Sequence, residues 1–68
     1  MNNHPTAEGQ KYLLELKLAV FNCKYHNKQH GIRSLNERQR EQLRVLRGKC
    51  LRGGYNREQI KKALNEQI

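Results

Sequence analysis

An all-α fold, a small three-helix domain with a helix-turn-helix-like pairing of its second and third helices, follows from three observations. Three stretches open on capping residues, carry apolar residues at helical spacing, and are separated by glycines at Gly31 and Gly53-Gly54. No run alternates Val, Ile or Thr with polar residues, so no strand pattern competes. A length of 68 residues with 35% apolar content supports one thin core, hence a single domain over 1–68.

The chain is expected to begin with a disordered stretch, 1–5, followed by a first helix over about 6–29. Thr6 serves as its N-cap, and Glu8 sits favourably in the first turn. Projected at about 100° per residue, this helix has two apolar stripes. Leu13, Leu16, Val20 and Cys23 form one; Leu14, Leu18, Phe21 and Tyr25 form the other, on nearly the opposite side. A helix apolar on two sides is either clasped by both neighbours or shared with a second subunit, which makes a homodimer through this helix an expected partner arrangement.

The second helix is expected over about 35–52, with Ser34 and Glu37 as its capping box. Leu35, Leu43, Leu46 and Cys50 fall on one side. Arg40, Arg44 and Arg47 form a basic ridge beside them, and Arg38, Lys49 and Arg52 cluster on a further flank. The third helix, about 57–67, starts from a box made by Asn56 and Gln59, with Ile60, Ala63, Leu64 and Ile68 inward and Arg57, Lys61 and Lys62 outward.

The charge balance speaks most directly to function. There are 14 Lys and Arg against 6 Asp and Glu, a formal net charge of +8. A body this small cannot bury those cations, so its default partner is a polyanion. Arginine grips phosphate bidentately, and five arginines lie between Arg38 and Arg52. In a helix-turn-helix the later helix approaches the bases, which here points to Asn56, Arg57, Gln59, Lys61 and Lys62, since Asn and Gln pair with adenine and Arg or Lys with guanine. The expected nucleic-acid contacts are therefore Arg38, Arg40, Arg44, Arg47, Lys49, Arg52, Asn56, Arg57, Gln59, Lys61 and Lys62, on duplex DNA. The expected role is a regulatory or accessory factor.

The competing reading is a protein-interaction module that docks on an acidic protein and inhibits or recruits an enzyme of nucleic-acid metabolism, using Leu14, Leu18, Phe21 and Tyr25 as its interface. Exposure of Leu14, Leu18 and Phe21 in a monomer favours a protein partner; their burial, by the bundle or by a dimer mate, leaves the cationic face as the only candidate site.

Other classes fit less well. No Ser/His/Asp set, paired carboxylates or phosphate-cradling glycine loop stands at useful spacing, so the chain reads as a non-enzyme without a cofactor. It has neither a membrane span nor the pattern of a signal peptide, and cations spread over three helices argue against membrane attachment; a cytoplasmic location is expected. Cys23, His26 and His30 share one helix side and Cys50 could complete tetrahedral zinc. Both cysteines already fit apolar stripes, however, and they read as free thiols with no metal.

The stretch from Gly54 to Leu64, Gly-Tyr-Asn-Arg-Glu-Gln-Ile-Lys-Lys-Ala-Leu, is similar to the glycine-aromatic turn and following helix in the repeats of the RecX recombinase regulators. It is equally similar to the glycine-aromatic loop of ubiquitin-associated domains. The first resemblance implies binding to a recombinase filament, the second binding to ubiquitin. Each covers about a sixth of the chain, and the chain is assigned to neither family. The shared physical content is a tight turn at glycine, an aromatic anchor at Tyr55 and a newly capped helix.

Overall fold

A computed structural model describes residues 5–65. It contains helices α1 (Ala7–Gln29), α2 (Glu37–Arg52) and α3 (Arg57–Asn65), and no strand among the described residues. The expected disorder at the N-terminus falls, save for Pro5, on residues outside those described. So does the inward placement of Ile68 and the expected end of the third helix past Asn65.

α1 starts where its cap predicts. The Gly9 N–H donates to Thr6 Oγ1 at 2.9 Å, and the Thr6 N–H donates to the Gly53 carbonyl at 2.9 Å. α1 and α2 form an antiparallel pair, because the start of α1 meets the end of α2 at Gly53 while Asn27 near the end of α1 meets Gln39 in the first turn of α2. The near end of this pair is a glycine crossing. A Cβ on Gly9 would collide with the Gly53 carbonyl oxygen, and one on Gly53 would collide with the Gly9 Cα. Both residues are buried, so only hydrogen fits between the two backbones.

The far end is held by polar groups. Asn27 is buried in spite of its amide, and it is satisfied. Its Nδ2 donates to Gln39 Oε1 at 3.0 Å and to the Ser34 carbonyl at 3.3 Å, while Gln39 Nε2 donates back to Asn27 Oδ1 at 2.9 Å. The Asn27 carbonyl accepts from the Ile32 N–H at 2.7 Å, which folds the connector back after Gly31, where φ is +71°.

This network corrects the expected start of α2. The capping box is Asn36 with Gln39, the Gln39 N–H donating to Asn36 Oδ1 at 2.7 Å and the Asn36 N–H to Gln39 Oε1 at 3.0 Å. The helix begins at Glu37, two residues after the predicted Leu35. Two overlapping boxes were available, and the one whose Gln also reaches buried Asn27 is formed. Leu35 keeps its inward role from the turn, packed against the core.

Between the two ends lies the core of Leu16, Ala19, Leu43, Cys50 and Ile60, with Leu13, Val20, Leu46, Tyr55 and Leu64 packed around it. α2 ends at Gly53 and Gly54, whose φ is +106°. The Tyr55 N–H donates to the Cys50 carbonyl at 3.2 Å, closing the turn, and the predicted Asn56–Gln59 box opens α3, which packs on both longer helices through Ile60.

Candidate nucleic-acid interface

The cations of α2 divide between its two flanks, as the helical projection requires. On one flank they meet those of α3. Arg44, Arg47, Gly48 and Leu51 from α2 and Arg57, Ile60, Lys61, Leu64 and Asn65 from α3 line an open groove of about 630 Å³. Its floor is apolar and its walls carry four cations, with no carboxylate among the lining residues. Gly48 widens it, since the space where its Cβ would stand holds no atom within 4 Å.

Two acids stand just outside, Glu41 beside Arg44 and Glu58 on a surface shared with Lys61. Glu41 holds Arg44 bidentately, Nη2 to Oε2 at 2.7 Å and Nε to Oε1 at 3.2 Å. That hydrogen-bonded pairing keeps the Glu41 carboxyl below the usual carboxylate range and raises the Arg44 guanidinium further. Both side chains are well exposed, so water competes with the pair. Among the described residues, Arg47, Arg57 and Lys61 make no ion pair of this kind with a carboxylate.

The other predicted contacts lie elsewhere. Lys49 Nζ sits 5.1 Å from the centroid of the Tyr12 ring, and with Arg52 it borders a separate depression that includes Thr6, Glu8 and Gly53. Lys62 shares a shallow surface with Glu58 and Lys61 on the outer side of α3. Arg38 and Arg40 are exposed on α2. Asn56 and Gln59 are brought to the start of α3 as expected, but their side-chain oxygens are engaged in the cap, at 2.7 and 2.9 Å. A bidentate contact to adenine needs that oxygen as well as the amide nitrogen. The eleven predicted residues thus form one cationic groove and several separate positions, with Arg44, Arg47, Arg57 and Lys61 brought together.

The two stripes of α1 meet different fates. Leu16 and Cys23 are buried and Leu13 and Val20 partly so, against α2. Leu14, Leu18, Phe21 and Tyr25 stay 59, 53, 55 and 59% exposed, so neither α2 nor α3 clasps this side. The Phe21 and Tyr25 rings stack with centroids 6.3 Å apart.

The four residues considered for zinc do not converge. Cys50 lies in the core at the level of Glu15, whose charge, after the larger effect of burial, pushes the Cys50 thiol pKa up. Cys23 lies eight residues further along α1, about 12 Å at 1.5 Å per residue. Both cysteines are buried and free, and among the described residues no three His, Cys, Asp or Glu side chains are grouped as metal ligands would be. His26 and His30 remain a surface pair, their ring centroids 4.3 Å apart. No helix among the described residues is long and apolar enough to cross a membrane.

Sequence reasoning missed two features that position this interface. Gly9 and Gly48 sit inside helices, where glycine costs about 1 kcal/mol relative to alanine, and that cost was the available signal. One permits the α1–α2 crossing; the other opens the groove. No family model, curated protein or solved structure matches this chain.

Proposed function

We propose that this chain is a small non-catalytic accessory factor that holds the phosphate backbone of duplex DNA in the α2–α3 groove. The observation that carries the reading is the convergence of Arg44, Arg47, Arg57 and Lys61, from two helices, on one groove without a lining carboxylate. Cations from two elements hold two rows of donors at a fixed separation, as a backbone grip requires. With Asn56 and Gln59 committed to capping, the contacts favour phosphate over base edges, so binding is sequence-tolerant.

Titrating the chain with random duplex DNA, single-stranded DNA and duplex RNA over a range of salt tests this. Four phosphate contacts give a log-log slope of about −3 to −4. Reversing charge at two exposed positions, Arg47→Glu with Lys61→Glu, lowers affinity at least tenfold without unfolding the chain. A slope near zero, or an unchanged affinity in the double variant, overturns the reading.

A second reading is supported by the exposure of Leu14, Leu18 and Phe21 on the side of α1 that neither α2 nor α3 covers. Here the chain inhibits or recruits an enzyme of nucleic-acid metabolism through α1. The two readings use different surfaces, so the exposed stripe strengthens the second without removing the first.

A further inference from the structure

We infer that the exposed side of α1 is a docking surface for an acidic amphipathic helix of another protein. The inference rests on the second reading above and names the chemistry of its partner. Four of the large apolar side chains most open to water lie in one line on this helix, Leu14, Leu18, Phe21 and Tyr25. Their spacing of four, three and four residues is the seam that a second helix fills when it packs at a shallow angle. The seam has a firm backing, because the opposite side of α1, through Leu16, Ala19, Cys23 and Asn27, is buried against the rest of the fold.

The charge along the seam selects among occupants. Lys11 and Lys28 stand at its two ends and Lys24 on its edge, all exposed, while the bordering carboxylate is that of Glu15. The four side chains, each a little over half exposed, offer apolar area on the order of 400 Å². A standard interface takes about 800 Å² from each partner. The lysine borders must therefore lie inside the contact area, and a partner satisfies them only with carboxylates on its own flanks. A second copy of this chain brings the same lysine borders and another net charge of +8 to the seam. Charge complementarity thus selects a foreign acidic helix over self-association.

The test uses the full chain and three labelled synthetic helices of about 21 residues, with identical leucine seams and flanks of Glu, Gln or Lys, followed by fluorescence anisotropy. The Glu-flanked helix is expected to bind at least tenfold more tightly than the Gln-flanked one, the preference fading as salt rises, with no binding of the Lys-flanked one. Leu18→Glu with Phe21→Glu, at exposed positions, should abolish binding, while Arg47→Glu with Lys61→Glu should retain it. Equal binding of all three helices, lost in the α1 variant, leaves the second reading standing and overturns the acidic partner. Binding of none overturns both. Binding lost in the groove variant but kept in the α1 variant places the peptide in the α2–α3 groove and overturns the docking surface. Sedimentation of the chain alone as a dimer that Leu18→Glu with Phe21→Glu dissociates identifies the occupant as a second copy, and also overturns the proposal.

Discussion

Gly9 and Gly48 are the same residue in the same kind of element, and the structure gives them opposite roles. At Gly9 a methyl group would press on the Gly53 carbonyl oxygen, with the carbonyl carbon at 2.9 Å and the Cα at 3.0 Å, all of it backbone that cannot turn aside. Gly9→Ala is therefore expected to separate α1 from α2 and cost about 1–3 kcal/mol, the range for overpacking a tight site. At Gly48 the same methyl meets nothing within 4 Å. Gly48→Ala keeps only the helix-propensity gain, about 0.5–1 kcal/mol of added stability. Chemical denaturation of both variants checks the pair, and a shared sign would show that packing does not distinguish them. Buried Asn27 belongs to the same scale: a leucine of similar size would take from the Ser34 carbonyl its Asn27 donor and from Gln39 Nε2 its acceptor, while Gln39 Oε1 keeps the Asn36 N–H.

At the scale of the element, α1 and α3 were legible from the amino-acid sequence because their caps are local. Thr6 bonds a residue three positions on, as does Asn56, and the further contact of Thr6 with the Gly53 carbonyl supports the same choice of cap. α2 was legible in extent but not at its start. Ser34 with Glu37 and Asn36 with Gln39 are equally good boxes by spacing, and the choice is decided across space by Asn27, twelve residues before Gln39. Asn36→Ala should therefore cost about 1 kcal/mol, whereas Ser34→Ala should be close to neutral, since the Ser34 contact to Asn27 uses its backbone carbonyl. Thermal melts of the two variants separate these outcomes. The fate of the α1 stripes was equally hidden, because two apolar sides on one helix look alike until the register with α2 buries one.

The basic ridge of α2 was readable as a projection, but its division into a groove wall and a Tyr12-facing flank depends on where α3 packs. Within the ridge, Glu41 restrains Arg44. Glu41→Gln should release that guanidinium, raising DNA affinity and steepening the salt slope by up to about 0.9. Acid should do the same. Because the Glu41 pKa is lowered in the folded chain, its ion pair is intact above the ordinary carboxylate pKa and is lost as pH falls through the lowered value, while Arg44 stays charged. Binding titrations at falling pH, compared with Glu41→Gln, check this; a variant indifferent to the substitution would show that Arg44 makes no contact.

For the whole molecule the governing quantity is the net charge of +8 on a body with principal extents of 43 × 21 × 17 Å. Like charges so close together repel, and the groove concentrates the repulsion between α2 and α3, which are held together through Ile60 and the core around it. Two agents relieve it by different routes. Salt screens every pair of exposed charges once the Debye length falls below their separation, about 10 Å at 0.1 M. A polyanion in the groove stabilises the folded chain alone, by mass action, in proportion to the logarithm of its concentration above Kd. The melting temperature is thus expected to rise with added NaCl in the absence of ligand, and at low salt to rise with duplex DNA. Arg47→Glu with Lys61→Glu should melt higher than the natural chain at low salt, respond less to NaCl, and gain nothing from DNA. If the double variant melts lower and still gains from DNA, the groove is neither the centre of repulsion nor the seat of binding, and the cations act only through their sum.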